Sequence, residues 1–136
     1  MDSFELVKIC KDGTKTFDIT FKAVLCGKDL NLNIYGGDKA HIGASSLAYI
    51  KLQDLASLKD KNYQAIEVKT IEIPGHKEAL LSERLAFSLC ESLQVSVQVN
   101  CGIHLDNIQK SMIEKICKLV LESKEEIARL YKDCIS

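Results

Sequence analysis

From Thr16 to Leu25 the apolar residues Phe17, Ile19, Phe21, Ala23 and Leu25 stand on one side, with Asp18, Thr20 and Lys22 on the other. A period of two predicts a half-buried strand. Gly27-Lys28-Asp29 makes a short turn. Leu30, Leu32 and Ile34 then alternate with Asn31, Asn33 and Tyr35, so the two segments are expected to form a hairpin. Weaker alternation from Phe4 to Cys10 predicts an earlier strand, closed by the turn signal Asp12-Gly13. Gly36-Gly37-Asp38-Lys39 reads as another hairpin turn, because adjacent glycines suit the positive φ such turns need. Ala40 to Leu52 returns as a strand, with Ala and Ser where the face must be small. Gln53 to Asn62 is polar and short, a loop or a single helical turn. Gln64 to Ile73 is a further strand. Its phase slips at Lys69-Thr70, which predicts a bulge or an end effect there.

Pro74-Gly75 changes the period. Leu81, Leu85, Leu89 and Leu93 recur every four residues with Ala86 and Cys90 beside them, predicting a helix from about His76 to Leu93. Val95, Val97 and Val99 restore alternation for one strand, Ser96 to Cys101. Asp106 followed by Gln109 has the form of a capping box. A second helix then runs to about Asp133 on a stripe of Ile108, Met112, Ile116, Leu119 or Val120, Ile127 and Leu130. At ~27 residues it would reach ~40 Å. The stripe weakens from Ser123 to Glu126, so the end is expected to overhang the body. The pattern as a whole predicts an α+β fold in one domain, residues 1–136. Its sheet is mixed, mostly antiparallel and about six-stranded, with two helices packed on one face.

Composition narrows the function classes. A chain of 136 residues buries roughly two-thirds of its unfolded surface and holds a core without staples. The net charge is -1 and arginine occurs only at Arg84 and Arg129, so the basic patch of a nucleic-acid binder is missing. There is no tryptophan for a base-stacking platform. No apolar run approaches the ~20 residues of a membrane helix. The start, M-D-S-F-E-L-V-K-I-C, is acidic and already alternating, unlike a signal peptide; the expected compartment is the cytoplasm. The six cysteines show no C-x-x-C and no zinc-finger spacing, and read as small buried thiols.

All three histidines sit beside glycine, where regular structure is expected to turn. In Pro74-Gly75-His76-Lys77-Glu78 the first N–H groups of a helix point outward beside Lys77 and His76, a place where a phosphate or carboxylate could dock. The plainer reading is that His76 caps the helix and Glu78 favours its dipole. In Gly36-Gly37-Asp38-Lys39-Ala40-His41-Ile42-Gly43-Ala44, Gly43 invites close backbone approach by a ligand or another chain. No strand-to-helix step follows, so this is not a dinucleotide fingerprint. Its plainer reading is a hairpin with a solvated histidine. Asn100-Cys101-Gly102-Ile103-His104 joins a strand to the second helix. Cys101 and His104 could form a thiolate pair, although a glycine turn that carries both is commoner. A three-histidine zinc site is conceivable, but neither H-E-x-x-H nor a deaminase signature is present, and no metal is expected. The charged residues Glu114, Lys115, Lys118, Glu122, Lys124 and Glu125 of the second helix read as a solvated face.

G-G-D-K-A-H-I-G-A and P-G-H-K-E, followed by a helix, a Val-rich strand and a second helix, resemble the LpdD-like family. These are small prenylated-flavin chaperones associated with UbiD-type decarboxylases. In outline the pattern is also similar to the proteasome-assembly-chaperone fold. The resemblance covers Thr16 to Cys134. It implies a dimeric, non-enzymatic or weakly enzymatic factor that helps a decarboxylase acquire or mature its flavin. Gly36, Gly37, His41, Gly43, Gly75, His76, Lys77 and Glu78 occupy the motif positions, with Cys101 and His104 as further candidates. On this view prenylated FMN or FMN is the ligand, with its phosphate at the helix start beside Lys77 and its ring against the glycines. A homodimer suits a six-stranded sheet with two edges and one face to cover. Two other classes stay open: an interaction module of the proteasome-chaperone type without a small ligand, and a small histidine-dependent metalloenzyme.

Overall fold

The computed structural model describes residues 1–51, 65–75 and 78–136. Among these, the chain runs β1 (Ser3–Asp12), β2 (Lys15–Cys26), β3 (Asp29–Gly37), β4 (Lys39–Ile50), β5 (Ile66–Glu72), α1 (Ala79–Leu93), β6 (Val97–His104), α2 (Lys110–Glu122) and α3 (Lys124–Ile135). The expectation for Gln53–Asn62 and the start of the first helix at His76 lie outside the described residues.

The fold is α+β, as the alternation implied. β1–β2 and β2–β3 are antiparallel hairpins whose turns use Gly13 and Gly27 at φ near +60°. Their register sets Phe21 opposite both Leu6 and Ile34, which stacks the apolar alternates on one face. Among the described residues the sheet order is β1-β2-β3-β6-β4-β5, and the one parallel pair is β3 with β6.

That order corrects one expectation. Gly36 to Lys39 does not close a β3–β4 hairpin. β6 lies between these strands, parallel to β3 and antiparallel to β4. The reason is burial: Val97, Val99 and Cys101 are fully buried, so β6 needs a neighbour on each edge. On its other face a side-chain ladder fixes the register. Asn100 donates to Asn33 at 2.9 Å and accepts from Ser45 at 2.6 Å, and Gln98 donates to Ser45 at 3.1 Å. β6 also continues past Cys101 to His104, so Asn100–His104 is strand and not the expected connection.

Three further expectations change. The β4–β5 register is unbroken from Ala44–Glu72 to Ile50–Ile66, so Lys69-Thr70 holds no bulge. The phase slips there because Ile71 pairs with Ser45 on the uncovered face. The irregularity lies instead in β4, between Ala40 and Ala44. The second helix is two helices, broken at Ser123, whose hydroxyl donates to the Leu119 carbonyl at 2.8 Å, a back-bond that bends helices. α3 does not overhang. Ile127 and Tyr131 are buried, the Tyr131 hydroxyl donates to the Lys28 carbonyl at 2.7 Å, and Glu126 pairs with Lys8 of β1. The capping box does not form either: Gln109 is the N-cap of α2 and makes no side-chain cap bond.

The core sits between the sheet and the helices. α1 buries Leu81, Leu85, Ala86, Leu89 and Cys90. Beneath it β4 presents Ala44, Ser46 and Ala48, whose small size lets the helix approach closely. Ser46 is satisfied there by Thr70 at 2.8 Å and Ser82 at 2.7 Å, as a buried hydroxyl requires.

Candidate functional site

The insertion of β6 brings the glycine-histidine segments to one end of the sheet. Asp38 crosses the end of β6, and its N–H donates to the His104 carbonyl at 2.7 Å. Its carboxylate accepts from Lys15 at 2.8 Å and from the Asp106 N–H at 2.9 Å. Those two bonds, Lys15 first, hold the Asp38 carboxyl below its usual range. Gly37 turns at φ +82°, and a Cβ there would strike the His104 carbonyl. A Cβ at Gly36 would strike the Asp18 carbonyl of β2. These two glycines serve chain-to-chain approach.

The irregularity in β4 lifts His41 out of the ladder. Its carbonyl lies where a Cβ of Gly102 would be, so Gly102 is what allows the arch. Gly43 leaves space for the Glu78 carboxylate, which a Cβ there would displace. Glu78 is the N-cap residue of α1, yet its side chain makes no cap bond. It turns to His41 instead, with Nε2 to Oε1 at 3.3 Å and both side chains less than one-fifth exposed. His41 Nδ1 faces the Lys39 carbonyl at 3.3 Å, so each ring nitrogen has an acceptor before it. The His104 ring stands edge-on to that of His41, with centroids 6.1 Å apart. His104 Nε2 contacts Asp106 Oδ1 at 3.1 Å.

Two of the three imidazoles, His41 and His104, therefore meet, together with Gly43 and Glu78. His76 and Lys77 lie outside the described residues. Cys101 lies on the core face of β6. Burial first, and the Glu78 carboxylate second, push its thiol up to about 12, so it stays protonated near neutral pH and is a poor nucleophile. Among the described residues, no three His, Cys, Asp or Glu side chains converge to hold a metal.

A pocket of about 340 Å³ opens beside this cluster. Gly75, Glu78 and His104 line its polar side. Leu81, Leu105, Ile108, Ile113 and Ile116, with Cys117, form its apolar wall. That volume and that pairing of apolar wall with a few polar groups fall in the range of small-molecule sites. No Lys or Arg is among these lining residues. An anion at the start of α1 would also share the terminus with the Glu78 carboxylate. The apolar wall escaped the sequence reading because it combines residues of α1, of α2 and of the connection between β6 and α2, which have no common period. Gly102 was visible as a glycine, but its partner His41 was not.

The prenylated flavin chaperone LpdD-like domain matches this chain over residues 13–132. The chain belongs to that family. The match begins at Gly13 and ends at Lys132, so it takes in every described strand except β1, together with α1, α2 and the first nine residues of α3. No curated protein matches the chain. Among solved structures, this LpdD-like chain is similar to one from the crystal structure of a novel chaperone complex for yeast 20S proteasome assembly. The two are 13% identical, with 96% of this chain and 98% of the other covered and a TM-score of 0.53. At that identity the likeness is one of fold. For this LpdD-like chain, no helix among the described residues is long and apolar enough to cross a membrane.

Proposed function

We propose that this protein is a cytoplasmic, homodimeric accessory factor that holds a prenylated flavin mononucleotide and delivers it to a decarboxylase of the UbiD type. The observation that carries the reading is the family match over residues 13–132. The pocket supports it physically. The apolar wall of Leu81, Leu105, Ile113 and Ile116 suits a ring system bearing a prenyl-derived group, and desolvating those surfaces favours binding. The Glu78 carboxylate can accept from a ring N–H, and His104 can donate to or accept from a ring carbonyl or nitrogen. The bound flavin supplies a conjugated ring that serves the decarboxylase. The chain's own residues bind it, orient it and keep water from its apolar portion. Asp106 positions His104, and His41 positions Glu78.

Anaerobic titration of the full-length protein with reduced prenylated flavin mononucleotide, followed by flavin absorbance, tests this. Saturable binding is expected. Glu78→Gln and His104→Ala should each weaken it about 3- to 10-fold, the worth of one hydrogen bond. The same preparation should raise the activity of a co-expressed UbiD-type decarboxylase. No spectral change with the wild-type protein, together with unaltered decarboxylase maturation in its absence, would overturn the reading. Maturation that survives Ile113→Lys, a charge in the apolar wall, would favour an interaction module without a small ligand.

A further inference from the structure

β1 is a ten-residue edge strand, and its outer side is paired with no strand among the described residues. On the face away from the helices it carries Val7 and Ile9, 49% and 64% exposed. A long edge with bare apolar side chains invites a further strand. We propose that β1 pairs antiparallel with β1 of a second copy of this chain, about a two-fold axis at Lys8. This rests on the dimeric reading given above and assigns its surface.

The order of charges selects the register. In an antiparallel pair, directly opposite residues share a face. With the axis at Lys8, Glu5 lies opposite Lys11 of the second copy, and Val7 opposite Ile9. Symmetry repeats both, which gives two apolar pairs in the centre and a Glu–Lys pair at each end. Moving the axis to Val7 sets Glu5 against Ile9. Moving it to Ile9 sets Val7 against Lys11. Neither keeps like with like. On the helix face, Leu6 meets Cys10 of the second copy. Lys8 meets its own copy, a repulsion reduced because Glu126 of α3 already neutralises each Lys8. The result is one continuous sheet of twelve strands with an isologous interface.

Sedimentation analysis of the full chain and its variants at low salt tests the assignment. The wild type should sediment at twice the 15.2 kDa chain mass. Glu5→Lys and Lys11→Glu each create two like-charge contacts across the axis. Each should raise the dimer dissociation constant on the order of ten- to a hundredfold. An equimolar mixture of the two variants restores opposite charges at both ends and should dimerise like the wild type, which also shows that both are folded. Glu67→Lys on the opposite edge strand β5 should leave the dimer unchanged. A wild type that remains monomeric at all concentrations removes the dimeric reading itself. A dimer indifferent to Glu5→Lys, disrupted by Glu67→Lys, or not restored by mixing overturns the β1 surface while leaving the dimer standing.

Discussion

Gly43 and Gly102 differ in what their missing side chains make room for, and that difference sets the cost of adding a methyl group. At Gly102 a Cβ would overlap the backbone carbonyl of His41. Backbone held in the β4 arch cannot step aside without disturbing the flanking pairs, Ala40 with Ile103 and Ala44 with Cys101. Overpacking of this kind costs about 1–3 kcal/mol, and a backbone collision belongs at the upper end. The stiffer unfolded chain of an alanine variant returns about 0.4–1 kcal/mol. Gly102→Ala should therefore lose about 2 kcal/mol net, roughly 5–10 °C in Tm for a domain of this size. At Gly43 the obstacle is the carboxylate end of Glu78, which can swing away. The loss is the His41–Glu78 pair, about 1 kcal/mol or less, nearly cancelled by the same entropic gain. Gly43→Ala should melt within a few degrees of the wild type while the His41 ring resonances move. Thermal unfolding by circular dichroism and imidazole NMR at fixed pH read the two effects separately. A Gly102→Ala protein as stable as wild type, or a Gly43→Ala protein destabilised as much as Gly102→Ala, would refute this account of the arch.

Two further outcomes follow from charge and burial. Asp38 is held below the ordinary carboxyl value of ~3.9 by Lys15 and the Asp106 N–H, so its contribution is present above that value and is lost as pH falls through the lower folded value. Asp38→Asn should therefore narrow the gap between neutral and acid stability in urea titrations from pH 7 to pH 3; an unchanged gap would show that Asp38 is not a clasp. Cys101, fully buried and pushed up to about 12, should resist iodoacetamide at pH 7.5 in the native protein while exposed Cys26 reacts, as peptide mass mapping would report. Equal labelling of the two would contradict a buried, protonated thiol.

The hairpins β1–β2 and β2–β3 were legible because pairing partners lie next to each other in the chain and the turns carry glycine. The packing face of α1 was legible for the same reason: its leucines repeat within one element. The insertion of β6 was not, because Gly36-Gly37-Asp38-Lys39 has the local chemistry of a hairpin turn whether or not a third strand enters. What decides is the match of Leu30–Gly37 to Val97–His104, a pairing across 67 residues with no local signature. The break at Ser123 left only a weakened stripe, since serine is compatible with both a continuous and a bent helix. The capping pattern at Asp106 misled because its backbone N–H is committed to Asp38 and its carboxylate to His104. At the candidate site, the histidines beside glycine were visible from the start. The apolar wall required the arrangement of three elements in space.

One of the two central strands of this sheet, β6, is made of residues synthesised after all the other strands and after α1. Until Val97–His104 emerges, β3 and β4 each hold out a raw backbone edge toward a slot that nothing yet fills. Assembly must therefore wait for distant contacts, the regime in which folding is slow and nascent chains are exposed to misassociation. A ribosome-stalled fragment ending before Val97 should be kept unfolded by its own topology, and folding should begin abruptly once Val97–His104 has emerged.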